Sequence, residues 1–572
     1  LSSLHLDIST WFWYFPFARL LKMRLHPIML LLLLAGMSSI SFAARSLRPL
    51  NKASYLNYAY KTDVYDFVKR GKAGLPGLVA VITPKGFQQL SLSANSVFRA
   101  IVPFFTIPPQ PDMDMGPFPG EILDGKVEKF GKDGNVYIQA AEPNGLAVEM
   151  ENLNIHLRTK IRGPRRDGVA KTELKNVNGE FVFSMQPDSN GSLRAEMTHC
   201  EARINLVHIH YDTNDKDIIV IRPFRIERAI KTQINQKQCS IIGKMISDMN
   251  EYIKKPFGEQ FLLDPHSHGL VPISSMKRLF KLLPLRDQRR FYVLGRALVF
   301  KPSLTGPIQA TASQTFSIPF LGKVCHRQRC NIPFHPTPLP QGVRDGNYMV
   351  NVYISDYVLN SLLYSLYEIG TFRLTFNKKQ APWLSYFFET ECAKSICITD
   401  LLPSFSNTFP EQIPEIHMEF SKPPAVQFKR DGARFYGDFL MTLSAKADES
   451  SPAKKALIAN CHFIMRIQLN APRARDHVAG TVNFDQWNMR VQENYINADL
   501  KETSSFFDYT KQLIQTTLAH FFKRGFVISL PYLNITNLKL EMMDDALMAA
   551  FDFKIDEKRI VDAINVTVSG HK

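Results

Sequence analysis

The sequence predicts an α+β protein built from two similar modules in tandem. Its 572 residues exceed the size at which a single hydrophobic core keeps growing. A strand-like run followed by an amphipathic helical pattern occurs twice, about 270 residues apart, with the strands at 78–83 and 348–355. Each half also carries a second long helical pattern, and a helix with a wide apolar stripe must lie against another layer. These observations favour two α+β units over one domain.

Apolar spacing defines the helical patterns. In the first half, KGFQQLSLSANSVF follows the strand LVAVIT, and the run IERAIKTQINQKQCSIIGKMISDMNEYI places Ile and Met along one stripe. In the second half, DYVLNSLLYSLYEIG has an i, i+3, i+4, i+7 pattern formed by Leu359, Leu362, Leu363 and Leu366. The run YTKQLIQTTLAHFF supplies another stripe before Gly525. We expect each of these apolar faces to pack against a sheet.

The N-terminal region has the features of a secretory signal. Met23 and Arg24 precede the apolar run IMLLLLLAG, which is too short to span a bilayer. Small residues follow it, with Ser41 and Ala43 at the positions that a cleavage site requires. We interpret residues 1–43 as an upstream extension and signal peptide, and the alternative is a single membrane anchor. The mature protein is then expected to be secreted and extracellular.

The chain is strongly basic. Lys and Arg together exceed Asp and Glu by 16, which favours an anionic partner. Because secretion separates the protein from DNA and RNA, we expect no nucleic-acid partner. The composition, with 45% hydrophobic and 21% charged residues, is that of a folded protein.

A segment poor in strand alternation separates the two halves. The run HSHGLVPISSMKRLFKLLPLRDQRR carries prolines and many charges, so we place a linker at 264–290. The N-terminal unit is then 44–263 and the C-terminal unit 291–572. A basic cluster at 276–296 alternates cations with apolar residues, which is typical of either a membrane-surface patch or a solvated linker.

Four segments, in order along the chain, resemble one protein family. They are PGLVAVITPKGF (76–87), CEARINLVHIHY with the IERAIKTQINQKQCSII that follows it, ISDYVLNSLLYSLYEIG (354–370) and GFVISLP (525–531). The family is that of the bactericidal/permeability-increasing and lipopolysaccharide-binding proteins. The resemblance implies a boomerang of two tandem elongated barrels joined by a central sheet. Each barrel would hold a long helix against a twisted antiparallel sheet and enclose an apolar lipid tunnel.

The resemblance also implies roles for residues of the first half. It pairs Cys200 with Cys239, which would tie a strand to the long second helix. The loop closed has about 40 residues, worth roughly 4 kcal/mol in the chain-entropy model. Part of the helical stripe would line the lipid tunnel. The lining candidates are Ile234, Ile241, Met245 and Met249.

A basic hairpin is the candidate head-group site. In LRTKIRGPRRDGVAK (157–171), cations alternate as on one face of a strand, and a Gly-Pro pair marks a turn. Its position resembles the barrel-tip loop whose lysines engage lipid A phosphates in bactericidal relatives, and the alternative is a solvated loop or a proteolytic site. The head-group candidates are Arg158, Lys160, Arg162, Arg165, Arg166 and Lys171. The other stretch near that tip, IPPQPDMDMGPFPGE (107–121), departs from cationic relatives because it is acidic and rich in proline.

The cysteines and histidines fit a secreted framework. Two C-x₄-C pairs, CHRQRC and CAKSIC, suggest disulfides rather than zinc ligands in an oxidising compartment, and Cys461 is left over. His208 and His210 lie two apart in a strand, so a solvent-facing pair is favoured over a metal site. We predict no metal and no cofactor. Glycosylation sequons occur at Asn190, Asn534 and Asn565.

Together these patterns predict a lipid-binding function. No G-x-S-x-G, H-E-x-x-H, P-loop or dinucleotide motif occurs, so no catalytic residue is proposed and the chain is not expected to be an enzyme. The resemblance implies binding of lipopolysaccharide, phospholipid acyl chains and anionic membrane surfaces, in antibacterial innate defence. The alternative is a lipid carrier resembling phospholipid or cholesteryl ester transfer proteins. A secreted esterase and a structural glycoprotein joined by intermolecular cysteines are further alternatives.

Overall fold

The structure is a computed structural model. The residues it describes are 64–101, 106–107, 110–114, 119–131, 134–162, 167–211, 227, 239, 243, 247, 250, 260–261, 297–340, 342–389, 392, 396–448, 450–471, 477–527 and 533–558. The predicted signal region 1–43 and the predicted linker 264–290 lie outside them.

Strands dominate the described residues. In chain order the strands are β1 (Leu78–Ile82), β2 (Thr106–Ile107), β3 (Gln110–Asp114), β4 (Pro119–Phe130), β5 (Asn135–Ala141), β6 (Gly145–Arg162), β7 (Asp167–Pro187), β8 (Leu193–Tyr211), β9 (Gln260–Phe261), β10 (Leu298–Lys301), β11 (Gln309–Ala310), β12 (Phe316–Phe320), β13 (Lys323–His326), β14 (Val350–Ser355), β15 (Arg373–Phe376), β16 (Ile413–Phe420), β17 (Ala425–Lys429), β18 (Gly432–Lys446), β19 (Lys454–Asn470), β20 (His477–Asn494), β21 (Phe526–Val527), β22 (Leu533–Met543) and β23 (Ala546–Ile555).

Fewer helices accompany them. The α-helices with described bounds are α1 (Pro84–Ile101), α2 (Asp356–Glu368), α3 (Ile398–Leu401), α4 (Pro403–Thr408) and α5 (Leu500–Arg524), and short 3-10 helices span Asp66–Arg70 and Pro382–Phe388. In the predicted second helix of the first half, Glu227, Cys239, Gly243, Ser247 and Asn250 are helical. The predicted mixed class of helix and strand is therefore confirmed.

A six-stranded central sheet joins the two halves, with strand order β11-β12-β1-β14-β23-β22. Its inner pair, β1 and β14, are the two strands that the sequence repeat predicts to be equivalent. They pair antiparallel with Ala80 opposite Val352, and Leu78 and Ile82 lie opposite Ile354 and Val350. Equivalent positions therefore meet about a local two-fold axis, which explains how two similar units share one sheet.

The chain turns from strand to helix in the same way in both repeats. Thr83 accepts a hydrogen bond through its hydroxyl from the Gly86 N–H at 3.3 Å, and Pro84 opens α1. Ser355 caps α2 in the same manner, accepting from the Tyr357 N–H at 3.2 Å. A hydroxyl at the N-cap supplies an acceptor to the unpaired amides of the first turn, and Pro is compatible with the first helical position.

Each half has its own seven-stranded sheet. The first contains β2-β4-β6-β7-β8 in that order, with β3 and β5 on β4 and β6. Its interior face is apolar, as Leu174, Val177, Val207 and Ile209 show by their burial. The second contains β15-β16-β18-β19-β20-β21, with β17 on β18. The helix α5 lies along β20.

The leucine face of α2 is not its most deeply buried face. The buried residues of this helix include Tyr357, Asn360, Ser361 and Tyr364, whereas Leu359 is 36% exposed. Leu362, Leu363 and Leu366 are half-buried. Leu363 packs against the cluster of Val426, Phe428 and Ala433 on β17 and β18, so the leucine stripe packs against a sheet in part, as expected. The face that carries Asn360, Ser361 and Ser365 is the more deeply buried one, because these side chains form hydrogen bonds with backbone groups of neighbouring strands.

Asn side chains of the helices form hydrogen bonds with backbone groups at the edges of the sheets. The Asn95 amide of α1 accepts from the Val136 N–H at 2.8 Å and donates to the Val136 carbonyl at 2.9 Å. Asn360 of α2 makes the same pair of bonds with Val426, at 2.7 and 2.9 Å. Asn250 makes it with Ala195, both at 2.8 Å. A carboxamide mimics a strand here, so buried backbone groups of three strands are satisfied without another strand.

Residues 64–70 pack on the second half, although the sequence groups them with the first. The Tyr65 hydroxyl donates to the Asp438 carboxylate at 2.6 Å, and its ring lies 5.6 Å from that of Tyr436. Lys422 and His462 also contact Asp438, at 2.8 and 2.7 Å. Burial raises the pKa of Tyr65, and the hydrogen bond to Asp438 raises it further. This segment therefore fastens the start of the described chain to β18 and β19.

Candidate functional site

The predicted basic hairpin is formed by β6 and β7. These strands pair antiparallel from Gly145↔Ser184 to Arg162↔Asp167, so the turn falls within 163–166. Arg165 and Arg166 belong to that turn and lie outside the described residues. The hairpin thus presents the other candidate cations on its two strands, next to the turn.

The strand positions alternate as the sequence predicts. Thr159 is buried at 4%, whereas Arg158 and Lys160 on either side of it are exposed. Lys171 is exposed and pairs with Arg158 across the hairpin. Arg158 Nη1 lies 3.7 Å from Glu128 Oε1. The structure therefore places these three cations together on one outer face of the sheet.

Acidic residues of the neighbouring strand lie in register with the cations. In β4, Glu121 pairs with Arg162 and Asp124 pairs with Lys160. The segment that departs from cationic relatives thus adjoins the basic hairpin.

His208 and His210 are exposed on the same outer face. Among the described residues, the group of possible metal ligands that lies close together is Cys392, Cys397 and Asp400, not these histidines. Cys392 and Cys397 are bonded to each other, so their thiolates are not free for a metal. Neither feature provides a metal site.

The seven cysteines form three disulfides and one buried thiol. Cys200 bonds to Cys239 with a Cα–Cα distance of 5.8 Å, the pairing that the family resemblance implies. Each C-x₄-C pair is joined internally, Cys325 to Cys330 and Cys392 to Cys397. Cys461 is free and buried at 2%, and this burial raises the pKa of its thiol. Its burial argues against an intermolecular disulfide.

The predicted tunnel-lining residues Ile234, Ile241, Met245 and Met249 lie outside the described residues. Three described helical residues nearby contact β8: Cys239 is bonded to Cys200, Gly243 lies against Met197, and Asn250 bonds to Ala195.

The apolar core of the second half is not buried evenly along α5. At one end the packing is tight: Phe405 and Phe506 are fully buried, and Phe387 stacks on Tyr509 with centroids 5.5 Å apart. Towards the other end of α5 the inward-facing residues are half-buried, although they pack against the same core. We call these residues the half-open band: Phe435, Ile467, Phe484, Leu513, Leu518 and Phe522. The sequence analysis expects a tunnel in each barrel and notes the apolar stripe in YTKQLIQTTLAHFF, but it names no lining residue in the second half.

A polar groove lies elsewhere on the first sheet. Its volume is about 410 Å³, and its lining includes Glu149, Glu180, Glu201 and Arg203. The lining is rich in carboxylates, so it does not suit an acyl chain. Its polar character separates it from the half-open band.

The remaining predicted sites are placed only in part. Asn190 and Asn534 are exposed, as glycosylation requires, and Asn565 lies outside the described residues. The basic cluster 276–296 also lies outside them. Among the described residues, no helix combines the length and the apolar character needed to cross a bilayer.

The fold and these surfaces define an α+β protein with a charged sheet face and an apolar core whose side chains are in part only half-buried. Residues 298–555 match the model of the C-terminal domain of the LBP/BPI/CETP family. Members of this family bind or transfer lipids and are not enzymes.

Two solved structures that the chain is similar to are distant in sequence. A crystal structure of lipopolysaccharide binding protein is 16% identical, with a TM-score of 0.45, and the match covers 84% of this chain and 99% of that one. The structure of takeout 1 from Epiphyas postvittana is 15% identical, with a TM-score of 0.20, and covers 32% of this chain and 95% of its own. No curated protein sequence matches the chain.

Proposed function

We propose that this chain is a secreted, non-enzymatic lipid-binding protein that holds acyl chains in its apolar interiors and engages phosphate-bearing head groups through the basic hairpin. The ligands are lipopolysaccharide or phospholipid, and the role is antibacterial innate defence. The observation that carries the proposal is the half-open band, a set of apolar side chains that pack against the core of the second half yet stay partly accessible.

Acyl-chain binding follows from the composition of the band. Aromatic and aliphatic side chains from α5 and from β18–β20 face inward yet stay partly accessible. Each buried CH₂ of a ligand contributes about 0.8 kcal/mol, so ten carbons give roughly 8 kcal/mol, enough for micromolar binding before other costs. The four helical candidates of the first half, Ile234, Ile241, Met245 and Met249, are proposed to line an equivalent tunnel there.

Head-group binding is assigned to the outer face of the hairpin. Arg158, Lys160 and Lys171 are exposed and clustered, and Arg162, Arg165 and Arg166 adjoin them in sequence. Guanidinium groups bind phosphate oxygens in pairs, and each cation near an anionic membrane contributes about 1 kcal/mol. This attraction weakens as salt is added.

The head-group assignment is tested by replacing Arg158, Lys160, Arg162, Arg165 and Arg166 with Ser. We expect at least a tenfold loss of binding, of order 1.4 kcal/mol, to lipopolysaccharide and to acidic liposomes at low salt. The matched control replaces three exposed cations of the second half, Lys454, Lys455 and Arg490, with Ser. Unchanged binding by the hairpin variant would sink the assignment.

A lipid carrier is the second candidate function. It is favoured by the acidic residues Glu121 and Asp124, which lie in register with Arg162 and Lys160 and weaken the cationic face. Native mass spectrometry of purified protein separates the two functions. Co-purifying neutral lipid that survives replacement of the hairpin cations would favour the carrier, whereas bound lipopolysaccharide or acidic phospholipid would favour head-group recognition.

A further inference from the structure

The outer face of the first sheet carries a basic row that is wider than the hairpin. Lys126 of β4 pairs with Arg158 of β6, which pairs with Lys171 of β7. Lys171 pairs in turn with His210 of β8. Directly paired residues of antiparallel strands project from the same face, and all four side chains are exposed. The row therefore crosses four adjacent strands.

A second row lies beside it, two residues further from the hairpin turn. Lys129 of β4 pairs with His156, His156 with Glu173, and Glu173 with His208. His156 Nε2 lies 3.7 Å from Glu173 Oε1, and Lys175 Nζ lies 3.2 Å from Glu173 Oε2. Three histidines thus stand within a face whose other charges are mostly cationic.

The surroundings of each histidine are defined by its strand neighbours. His210 faces Lys171, and His208 faces Glu173 on β7, with His210 two residues along its own strand. His156 faces Lys129 on one side and Glu173 on the other. In the described part of the chain, β8 is the last strand of this sheet. One carboxylate, that of Glu173, therefore lies between two histidines.

We propose that this four-strand face is a docking surface for anionic phospholipid membranes, and that His156, His208 and His210 make its attachment stronger at acidic pH. The inference rests on the proposed head-group role of the hairpin and extends it to β4 and β8. The partner is a membrane surface, because two rows of charge spread over four strands match a plane of phosphates better than a single bound anion.

The sign of the pH effect follows from the charge change of imidazole. Histidine is neutral at alkaline pH and gains a positive charge on acidification, ordinarily between about pH 8 and pH 5. An adjacent anionic membrane favours the charged form, so binding and protonation reinforce each other. An imidazole that gains a proton adds a positive charge to a face on which the Glu173 carboxylate lies between two of the histidines and the Glu128 carboxylate lies beside Arg158.

The opposite end of the same sheet limits the docking surface. Glu149, Glu180 and Glu201 pair in a row across β6, β7 and β8. Nine residues separate Glu149 from Arg158 along β6, a distance of roughly 30 Å, which is about three Debye lengths in 0.1 M salt. The acidic row is repelled by an anionic membrane, so the end of the sheet that holds the hairpin turn faces the lipid.

Vesicle binding at two pH values tests the inference. We expect the full chain to bind vesicles of phosphatidylcholine with phosphatidylglycerol about tenfold more tightly near pH 5.5 than near pH 7.5, and vesicles of phosphatidylcholine alone weakly at both. A variant with His156→Gln, His208→Gln and His210→Gln should keep the wild-type affinity near pH 7.5 and lose the gain on acidification.

Matched controls distinguish failure of this inference from failure of the proposed function. His199→Gln, at an exposed position far along β8, and His520→Gln, exposed on α5, should leave the pH dependence unchanged. A pH-dependent gain that survives in the triple histidine variant overturns the inference while leaving the hairpin role intact. Binding near pH 7.5 that survives loss of the hairpin cations overturns the proposed head-group role instead. Binding to lipopolysaccharide but not to phosphatidylglycerol vesicles overturns the membrane assignment.

Discussion

At the scale of single residues, Asp356 is an ionisable side chain in a buried position. It opens α2 and is 7% exposed. Burial, and to a smaller extent the neighbouring Asp545, raise the pKa of its carboxyl to about 7, although hydrogen bonds from Ser355 and Tyr357 oppose the shift. The helix N-terminus favours a carboxylate, but desolvation outweighs that contribution here.

The native state therefore binds a proton at Asp356 more tightly than the unfolded chain does. The contribution of this residue to stability is complete below the unfolded pKa, about 4, and is lost as pH rises through about 7. Asp356→Asn should raise the free energy of unfolding relative to wild type by about 3 kcal/mol near pH 8 and have little effect near pH 4. Denaturant unfolding across that range measures the difference. An Asn variant no more stable than wild type near pH 8 would contradict the expectation, and the exposed Asp66→Asn serves as control.

At the scale of elements, helix packing here is governed by hydrogen bonds to sheet edges as much as by apolar area. Asn360 and Asn95 each satisfy both backbone groups of a strand residue. Ser361 and Ser365 do so jointly for Val324, the first accepting from its N–H and the second donating to its carbonyl. A buried polar group left without a partner costs about 1–3 kcal/mol.

Because of this packing, we expect replacement of the polar Asn360 to destabilise the protein more than replacement of its apolar neighbour Leu359. Asn360→Ala leaves the Val426 N–H and carbonyl unpaired in a buried place, so we expect a loss of about 2–4 kcal/mol. Leu359→Ala removes a side chain that is 36% exposed and should cost less than 1 kcal/mol. Thermal and urea unfolding of the two variants provide the comparison. A larger loss for Leu359→Ala would show that the leucine face is the packed one.

At the scale of the whole molecule, the second half is tightly packed at one end and half-open at the other. The closed end is fixed by α3, α4 and the 3-10 helix Pro382–Phe388, where Ser404 donates to the Glu502 carboxylate at 3.0 Å. Along the rest of α5, apolar side chains remain partly accessible. A folded core normally closes such space, so we attribute the half-open band to ligand binding.

Filling this space should displace lipid without unfolding the protein. Leu513→Trp adds bulk within the half-open band, and we expect it to lower bound lipid at least threefold, which corresponds to a loss of about 0.6 kcal/mol. Gln512→Trp places the same side chain on the exposed face of α5 and should leave bound lipid unchanged. Lipid mass per chain, measured by native mass spectrometry, checks both. Equal lipid content in the two variants would argue that the band holds no ligand.

Local patterns were sufficient for much of the fold. Alternation and helical spacing predicted the tandem repeat and its strand–helix pairs, because these depend on residues close in sequence. The hairpin around 157–171 was predicted for the same reason. The Cys200–Cys239 pair came from family resemblance, since spacing alone cannot assign a partner.

The sequence by itself thus determined the mixed class, the repeat and the charge of the hairpin. Only the tertiary structure decided which face of α2 is buried, how Tyr65 reaches Asp438, and that His210 extends the row of Lys126, Arg158 and Lys171. Each of these depends on residues that are distant in the chain and meet through strand register. A single sequence shows the period of a helix or strand, but the partner that satisfies a buried amide or completes a charged row is fixed only when the sheets assemble.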